Sequence, residues 1–361
     1  MATYTDPQRI LIIQLRRIGD VLMCTPVIRA LRQKYPQSHL AFLTEEESKS
    51  ILENNPNLNQ VIVWDKNKYS NWFYALKKIK EIRDKKFDLV IDLLGTPRTA
   101  LASFLSGSKK RIGFAYRFRK IFYNLKVVPD QQEKYGALYK LDSLKPLRIE
   151  PRDCKLDMVI DSKAKSFAQK FFMENKISDS DFKITISPTA RRRFNFWFLD
   201  RYAQVADGLM EKYSAKVILV WGPGEKEIVE KIASLMKFKP ITSSETSTLL
   251  ELAAILGQCD LHLGNDNGTK HIATAVGVPT VTIYGPHSPV SWTYPDSSQH
   301  KFVKKNCPCV NNERKKHSCT KVTCLDSISV DDVQQVLNSI ISNLPKLKNQ
   351  EVEKTKYSAV D

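Results

Sequence analysis

The stretch of residues 264–286 limits the possible folds of this chain more than any other part of the sequence. It follows an apolar run typical of a buried strand and opens with small polar residues, 265–269, of the kind that begin a helix with free N–H groups. The helix pattern ends at Gly277, and residues 278–284 form a second strand pattern rich in β-branched side chains. This order predicts a βαβ unit whose helix begins at the carboxyl edge of a parallel sheet. Ligands bind at that edge in α/β folds, and free amides there suit a phosphate; an ordinary connection with a solvated loop is the alternative.

The first part of the chain shows the same alternation of strand and helix patterns. Strand patterns at residues 9–15, 39–43, 60–64 and 89–93 are each followed by a helix pattern, at 21–35, 47–54, 72–85 and 98–105. Such alternation predicts a parallel, doubly wound sheet. Asp20 follows the first strand pattern and precedes its helix, so we expect it at the ligand-binding edge. The ordinary use of an aspartate at such a place is as a helix N-cap.

A second alternating series begins after a helix pattern at 162–175 and a polar break at 178–181, and the domain boundary is expected in the region of residues 160–181. It contains strand patterns at 183–187, 216–221 and 240–242 and helix patterns at 199–213, 225–236 and 247–256, and the βαβ unit follows them. A closing helix pattern, 330–344, has Ser329 as its expected N-cap. We therefore predict an α/β fold of two Rossmann-like doubly wound domains, residues 1–165 and 166–345, that face each other across a cleft. The charged residues 346–361 are expected to form a disordered tail.

The composition limits the class of protein. The 361 residues carry a net charge of +17, which favours anionic partners such as nucleic acid, acidic lipid headgroups or phosphorylated substrates. No apolar run approaches the roughly 20 residues that a membrane span requires, and the polar N-terminus lacks the apolar core of a signal peptide. Residues 109–126 interleave basic and aromatic side chains, which suits a nucleic acid, a membrane surface, or a solvated face over core aromatics. Because no recognised nucleic-acid motif accompanies them, we expect no nucleic-acid partner. The polar N-terminus leads us to expect a cytoplasmic protein.

Three motifs stand in a fixed order along the chain: Arg17-Ile-Gly-Asp20, Trp221-Gly-Pro-Gly-Glu225, and Asp266-x-Gly268-x-x-His271-x-Ala-x-Ala-x-Gly277-x-Pro279. Together they resemble the motifs of the heptosyltransferase family, the ADP-heptose–lipopolysaccharide transferases of glycosyltransferase family 9. The resemblance spans about residues 8–340 and implies a glycosyltransferase B type (GT-B) fold. It also implies a metal-independent, inverting enzyme without a cofactor, which moves a heptose from ADP-heptose to the inner core of lipopolysaccharide. On the same basis, the first domain is expected to bind the acceptor and the second domain the nucleotide sugar.

The resemblance places Asp20 at the position of the family's proposed general base. An inverting transfer is a single in-line displacement, and a carboxylate near the acceptor hydroxyl can take its proton as the new bond forms. Arg16 and Arg17 lie next to Asp20, and Arg117 and Arg119 lie in the basic–aromatic stretch. We expect these arginines to contact the anionic acceptor.

The donor site is expected in the second domain. The residues assigned to it are Thr189, Arg191, Asn195, Gly222, Glu225, Glu227, Asp266, Asn267, Gly268 and His271. Backbone amides at Asp266-Asn267-Gly268 would hold the diphosphate, with Lys270 and His271 as further donors in the first turn of the helix; His271 could equally pack against the loop. Either Glu225 or Glu227 is expected at the ribose hydroxyls.

The chain departs from the family pattern at one important position. The family usually has Lys-x-Trp where this chain has Asn195-Phe196-Trp197, and Asn195 cannot supply the positive charge of that lysine. One of Arg191, Arg192 and Arg193 could take over, since a guanidinium binds phosphate in a bidentate way; a solvated basic loop is the alternative. We expect Trp197 in the core. The substitution leaves open a catalytically impaired nucleotide-sugar-binding or regulatory protein, or a transferase that uses a different nucleotide sugar.

A cluster of possible metal ligands lies near the end of the chain: Cys307, Cys309, His317, Cys319 and Cys324. The spacing is not the paired Cys-x2-Cys pattern of a strong zinc site, so we expect reduced thiols and no metal. We expect the protein to work at the cytoplasmic face of the inner membrane, held to the anionic surface by electrostatic contact rather than by insertion.

Overall fold

The computed structural model describes residues 6–243, 245–246, 248–306 and 322–346, apart from the side chains of Arg117 and Arg193. The chain divides into two compact units, Met1–Val159 and Ile160–Asp361. The expected tail, residues 346–361, lies outside the described residues except for Lys346, whose ammonium donates to the Asp181 carbonyl at 2.6 Å. No helix in the described part of the chain is both long enough and apolar enough to cross a bilayer.

The first unit is built around a parallel sheet. Its strands are β1 (Arg9–Ile13), β2 (His39–Thr44), β3 (Gln60–Val63), β4 (Leu89–Asp92), β5 (Lys110–Phe114) and β6 (Leu125–Val127). Its helices are α1 (Ile18–Leu22), α2 (Thr25–Lys34), α3 (Lys49–Leu52), α4 (Trp72–Asp84), α5 (Pro97–Leu105) and α6 (Gly136–Leu141), with 3-10 helices at Glu46–Ser48, Lys66–Lys68, Arg117–Phe122 and Asp142–Leu147. The strand order is β3-β2-β1-β4-β5-β6, and the central strands β1 and β4 are almost wholly buried, as expected when both faces of a sheet are covered.

The second unit contains another parallel sheet. Its strands are β7 (Lys183–Ser187), β8 (Lys216–Leu219), β9 (Ile241–Thr242), β10 (Leu261–Asn265), β11 (Thr280–Ile283) and β12 (His300–Val303), in the order β12-β11-β10-β7-β8-β9. Its helices are α7 (Ser162–Glu174), α8 (Leu199–Tyr213), α9 (Lys226–Leu235), α10 (Leu249–Leu256), α11 (Gly268–Ala275), α12 (Pro289–Trp292), α13 (Thr323–Asp326) and α14 (Val330–Ile341). Ser329 caps α14 as expected, and this helix packs Leu337 and Ile340 into the core that contains Trp197. The expectation that Trp197 is a core residue is confirmed.

The two sheets share one topology. When the strands are counted within each unit, both orders are 3-2-1-4-5-6, so the winding reverses between β1 and β4 in the first unit and between β7 and β10 in the second. The carboxyl ends of the strands at such a switch point open a crevice in which α/β folds bind ligands. The prediction of two Rossmann-like doubly wound domains is confirmed.

The structure differs from the expectation at the start of the chain. The helix expected over residues 21–35 is two helices, α1 and α2, because Pro26 lacks an N–H group and is accommodated in the first turn of a new helix. Asp20 lies inside α1, whose N-cap residue is Arg17, so the alternative role of Asp20 as a helix N-cap is excluded.

The sequence patterns did not indicate strands β5 and β6, which lie within the basic–aromatic stretch, or strand β12. Tyr123 explains part of this stretch: its ring is buried over β5, where a Cβ atom on Gly113 would lie 2.4 Å from a ring carbon. Its hydroxyl donates to Asp92 Oδ2 at 2.7 Å. Some aromatics of the stretch therefore build the core, whereas Phe118 and Ile121 project from the surface.

Candidate active site

Asn267 joins the ends of the two strands at the switch point of the second unit. Its Oδ1 atom accepts a hydrogen bond from the Lys270 N–H at 3.0 Å and so caps α11. Its Nδ2 atom donates to Ser187 Oγ and to the Thr189 carbonyl, both at 2.8 Å, and both acceptors lie at the end of β7. The helix therefore begins at Gly268, earlier than the sequence pattern indicated. The N–H groups of the first turn before Lys270 have no acceptor inside the helix, which leaves them available to an anion.

Asp266 and Lys270 form a buried ion pair beneath that helix start. The Lys270 ammonium donates to Asp266 Oδ1 at 2.9 Å, to the Tyr284 hydroxyl at 3.0 Å and to the Trp292 carbonyl at 2.9 Å. These three acceptors match the three N–H donors of an ammonium group. The expectation that Lys270 offers a donor to a ligand is therefore wrong, because the side chain is turned inward and saturated.

The electrostatics of this pair keep Asp266 ionised. Burial by itself raises the pKa of Asp266, but the opposing effects of Lys270 and of the hydrogen bond from His287 outweigh it, and the net pKa lies well below its usual range. Burial lowers the pKa of Lys270, and the Asp266 carboxylate opposes that shift. The Asp266 carboxylate is therefore negatively charged close to the start of α11. It holds the side chains of Lys270 and His287, which both contact it.

His287 is held by the other oxygen of the same carboxylate. Its Nδ1 atom lies 3.3 Å from Asp266 Oδ2 and 3.4 Å from Asn195 Nδ2, and its ring meets the Phe194 ring edge-on. The side chain is about a quarter exposed, and Lys304 Nζ donates to its backbone carbonyl at 2.9 Å. Sequence reasoning missed this residue, although its place directly after Gly285-Pro286, in the turn that follows β11, puts it at the carboxyl edge.

His271 is buried in the first turn of α11. Burial, and then the nearby Lys270 charge, lower the pKa of His271 well below its usual value, with Asp266 opposing them. The ring is therefore neutral near pH 7, and it lies edge-on to the Trp292 ring at a centroid distance of 6.1 Å. The structure thus offers a packing partner for His271 and no positive charge.

Asn195 lies in a closely packed part of the same edge. It is buried, and among the described residues its Oδ1 atom has no hydrogen-bond donor. The backbone at Gly285 passes very close to this segment: a Cβ atom on Gly285 would lie 2.6 Å from the Phe194 carbonyl oxygen. Arg191 is exposed, whereas the Arg192 guanidinium lies 5.5 Å from the centre of the Phe194 ring.

Glu225 organises the loop that carries the central motif. Its Oε2 atom accepts hydrogen bonds from Thr189 Oγ1 and from the Gly222 N–H, both at 2.8 Å. Glu227 is exposed in the first turn of α9. Thr189 therefore connects two groups of predicted donor residues: its hydroxyl contacts Glu225, and its carbonyl contacts Asn267.

The switch point of the first unit has a different chemical character. Asp20 is half-buried in the first turn of α1, and in the described part of the chain its carboxylate forms no hydrogen bond or ion pair. The Cys24 thiol beneath it donates to the Asp20 backbone carbonyl at 3.1 Å. Burial raises the pKa of this thiol to about 12, so Cys24 is not a nucleophile near pH 7.

Lys140 joins β1 to β4 at this edge. Its ammonium is buried and donates to Gln14 Oε1 at 2.9 Å and to the Leu93 carbonyl at 2.7 Å. Arg119 reaches the same edge, where it donates to the Gly95 carbonyl at 2.6 Å. Arg16 is exposed in the loop between β1 and α1. The Arg117 side chain is not among those described, so its expected place beside the acceptor stays a prediction.

The possible metal ligands near the end of the chain lie mostly outside the described residues. Of this cluster only Cys324 is described, as a buried free cysteine in α13. Elsewhere in the described ranges, no group of His, Cys, Asp and Glu side chains is arranged to hold a metal ion.

The fold is of the GT-B type. A glycosyltransferase family 9 structure from Veillonella parvula matches with a TM-score of 0.80 at 24% identity, over 93% of this chain and 97% of the other. The ADP-heptose lps heptosyltransferase II of Escherichia coli matches with a TM-score of 0.73 at 20% identity, over 95% and 99%. The sequence model of glycosyltransferase family 9 (heptosyltransferase) matches residues 75–324. The chain belongs to this family and is a glycosyltransferase.

Curated relatives agree with this assignment. The lipopolysaccharide core heptosyltransferase OpsX of Haemophilus influenzae is 27% identical over 301 residues, which cover 80% of this chain and 83% of the relative. The lipopolysaccharide heptosyltransferase 3 of E. coli is 30% identical over 289 residues, which cover 77% and 83%.

Proposed function

We propose that this protein transfers a heptose from ADP-heptose to the inner core of lipopolysaccharide, with inversion and without a metal ion or cofactor. The observation that carries the proposal is the match to glycosyltransferase family 9 across most of the chain, together with relatives that are named as lipopolysaccharide heptosyltransferases. One relative of known structure is the E. coli heptosyltransferase WaaC, solved with ADP-2-deoxy-2-fluoro heptose, which is an analogue of the proposed donor.

Asp20 is the proposed general base. The lack of a hydrogen-bond or ion-pair partner for its carboxylate among the described residues supports this role, because a structural carboxylate at a helix start normally caps an N–H group. The acceptor hydroxyl would give its proton to Asp20 as its oxygen attacks the anomeric carbon, and ADP would leave on the opposite face. Arg16, Arg17, Arg117 and Arg119 would bind the anionic groups of the acceptor.

The start of α11 is the proposed diphosphate site. The N–H groups of Gly268 and Thr269 would hold phosphate oxygens, and Asn267 would keep the loop in place through its three hydrogen bonds. Arg191, which is exposed, would add positive charge. Such groups would stabilise the charge that builds on the leaving ADP, which is the work a metal ion does in other transferases.

His287 would place an imidazole ring beside Asn195, the residue that stands where the family has its lysine. Its Nδ1 atom faces the Asp266 carboxylate at 3.3 Å, a contact that would hold the ring in one orientation at this edge of the sheet.

The proposal is tested by measuring ADP release from ADP-heptose with a heptose-deficient lipopolysaccharide acceptor, with and without a chelator. We expect wild-type turnover in chelator and a loss of about a hundredfold or more in kcat for Asp20→Asn, with ADP affinity unchanged. Glu53→Gln, which removes an exposed carboxylate of the same unit, is the matched control and should keep full activity. Equal rates for Asp20→Asn and wild type would remove Asp20 from the mechanism, and turnover lost in chelator would contradict metal independence.

A second candidate function rests on Asn195, which stands in place of the family lysine. A protein that binds ADP without transferring heptose would be a nucleotide-sugar-binding or regulatory protein, or would use another donor. Turnover with a panel of ADP- and UDP-sugars separates these alternatives. A transferase that uses another donor releases nucleotide from one sugar of the panel, whereas a binding or regulatory protein releases none.

A further inference from the structure

One face of the first unit carries an unusual set of exposed side chains. The chain passes from β3 through α4 to β4, through α5 to β5, and through the 3-10 helix Arg117–Phe122 to β6, always stepping in the same direction along the sheet. Since parallel crossovers are right-handed, these three elements lie on the same face of the sheet. Contacts between them agree, because the Phe104 ring of α5 packs edge-on against Phe122 at 5.7 Å.

Large apolar side chains project from all three elements into solvent. We define the docking face by Trp72, Phe73 and Leu76 of α4, Phe104 of α5, and Phe118 and Ile121 of the 3-10 helix, all of which are exposed. Trp72 is 60% exposed and Phe118 is 87% exposed. Leaving such side chains in water forgoes about 1.5–3 kcal/mol each, so a cluster of them on one face marks an interaction site.

The charge around the docking face is strongly positive. Residues 93–129, which contain α5 and the 3-10 helix, include eight Lys and Arg residues and no Asp or Glu. Lys77 and Lys80 are exposed on α4 next to its aromatic side chains. The two acidic residues of this helix, Glu81 and Asp84, are outnumbered by its four basic ones, Lys77, Lys78, Lys80 and Arg83, so the helix also carries a net positive charge.

We infer that this face docks the protein on an anionic lipid bilayer by inserting its aromatic and aliphatic side chains among the headgroups. Tryptophan and phenylalanine favour the membrane–water interface, and each lysine or arginine near an anionic surface adds about 1 kcal/mol of attraction. The inference deepens the proposed function, because it rests on an acceptor in a membrane, and it replaces purely electrostatic contact with insertion.

The side chains of the docking face favour a bilayer over a nucleic acid. Leu76 and Ile121 stand among the aromatics, and an aliphatic side chain offers neither a stacking surface for a base nor a donor for a phosphate. A bilayer interface takes aliphatic and aromatic side chains alike, and it requires no particular shape of the protein surface.

The tryptophans of the chain give a direct readout of insertion. Trp64, Trp197 and Trp221 are buried and Trp292 is half-buried, so Trp72 is the exposed indole among the five in the sequence. On addition of vesicles that contain about 30% phosphatidylglycerol, we expect a blue shift of the emission, and we expect the shift to be absent in Trp72→Phe.

Sedimentation with the same vesicles measures the affinity. We expect the double substitution Trp72→Ser/Phe73→Ser, and separately Phe118→Ser, to weaken partitioning about tenfold or more, with an unchanged melting temperature. Phe238→Ser, which removes an exposed aromatic of the second unit, is the matched control and should bind as wild type does. Vesicle binding without a blue shift, or equal binding by the double variant and wild type, would overturn insertion at this face. Tighter binding to duplex DNA than to vesicles would assign the face to nucleic acid instead.

The failure of this inference can be distinguished from failure of the proposed function. With a detergent-dispersed acceptor that needs no bilayer, the double variant should turn over at the wild-type rate. Loss of turnover there would show that the face serves the reaction itself and would contradict a docking role. Inactive wild-type protein that still inserts into vesicles would contradict the proposed function alone.

Discussion

Replacing Lys270 by methionine tests whether the second unit depends on a buried charge beneath its helix start. Methionine has nearly the same length and cannot donate, so the substitution removes three hydrogen bonds at 2.9–3.0 Å and leaves the Asp266 carboxylate without its ion-pair partner. Both side chains are almost inaccessible, at 3% and 10% exposure. Breaking a buried pair in this way costs about 3–5 kcal/mol, because an uncompensated charge remains inside.

The expected result is a fall of about 3–5 kcal/mol in the free energy of unfolding of the second unit, or roughly 6–20 °C in its melting temperature. Urea unfolding followed by tryptophan fluorescence measures it, since Trp197, Trp221 and Trp292 lie in this unit. The two units can unfold in separate transitions, so each is fitted by itself. Lys226→Met is the matched control, because this exposed lysine pairs with Glu230 at 3.6 Å on the surface and should lose little.

A double substitution measures how much of the loss comes from the interaction between Asp266 and Lys270. If the charges depend on each other, Asp266→Asn combined with Lys270→Met should cost at least about 1.5 kcal/mol less than the sum of the two single changes. A loss below about 1 kcal/mol for Lys270→Met, together with ADP affinity reduced by about tenfold or more, would refute the reasoning. In that event Lys270 would be a ligand-binding residue and not a buried structural one.

His287→Ala is expected to weaken ADP binding about tenfold, because the ring lies beside Asn195 at the proposed donor site; calorimetric titration checks this. Acidification from pH 6.5 should lower the free energy of unfolding of the second unit, because burial holds the pKa of His262 at about 3 and of His300 at about 4, so that unfolding takes up protons. Urea unfolding at several pH values should show a shallower loss for His300→Gln than for wild type. Glu227→Ala should reduce the preference for ADP over 2′-deoxy-ADP without changing the melting temperature, whereas Glu225→Ala should lower that temperature by releasing its loop.

Much of the fold follows from local sequence patterns. The elements that were missed depend on contacts between residues far apart in the sequence. The alternation of strands and helices predicted both sheets, because buried parallel strands are short apolar runs. Strand β5 was missed because it reads Lys-Arg-Ile-Gly-Phe, with charges at one end. What makes it a strand is the packing of Tyr123 over Gly113 and the bond of Tyr123 to Asp92, 31 residues away in sequence. A short stretch of sequence around β5 does not show that Tyr123 packs over it or bonds to Asp92.

The candidate site was predicted in part for the same reason. Asn267 could be placed at a helix start from the residues around it, and the structure has it as the N-cap of α11. The direction of the Lys270 side chain could not be predicted, since its acceptors Tyr284 and Trp292 lie 14 and 22 residues further along the chain. His287 was missed because the sequence does not show that this loop residue contacts the Asp266 carboxylate.

The division of the chain at Val159 has a consequence for how the protein is made. Every strand of the first sheet belongs to the first unit, and the last of them, β6, is complete at Val127. At about 5–20 residues per second, a ribosome needs roughly 10–40 s to add the part of the chain that follows Val159. Mixed α/β domains fold within milliseconds to seconds once their residues are available. The first sheet, beside which Asp20 lies in α1, can therefore form on the nascent chain while the residues of the second unit are still being added.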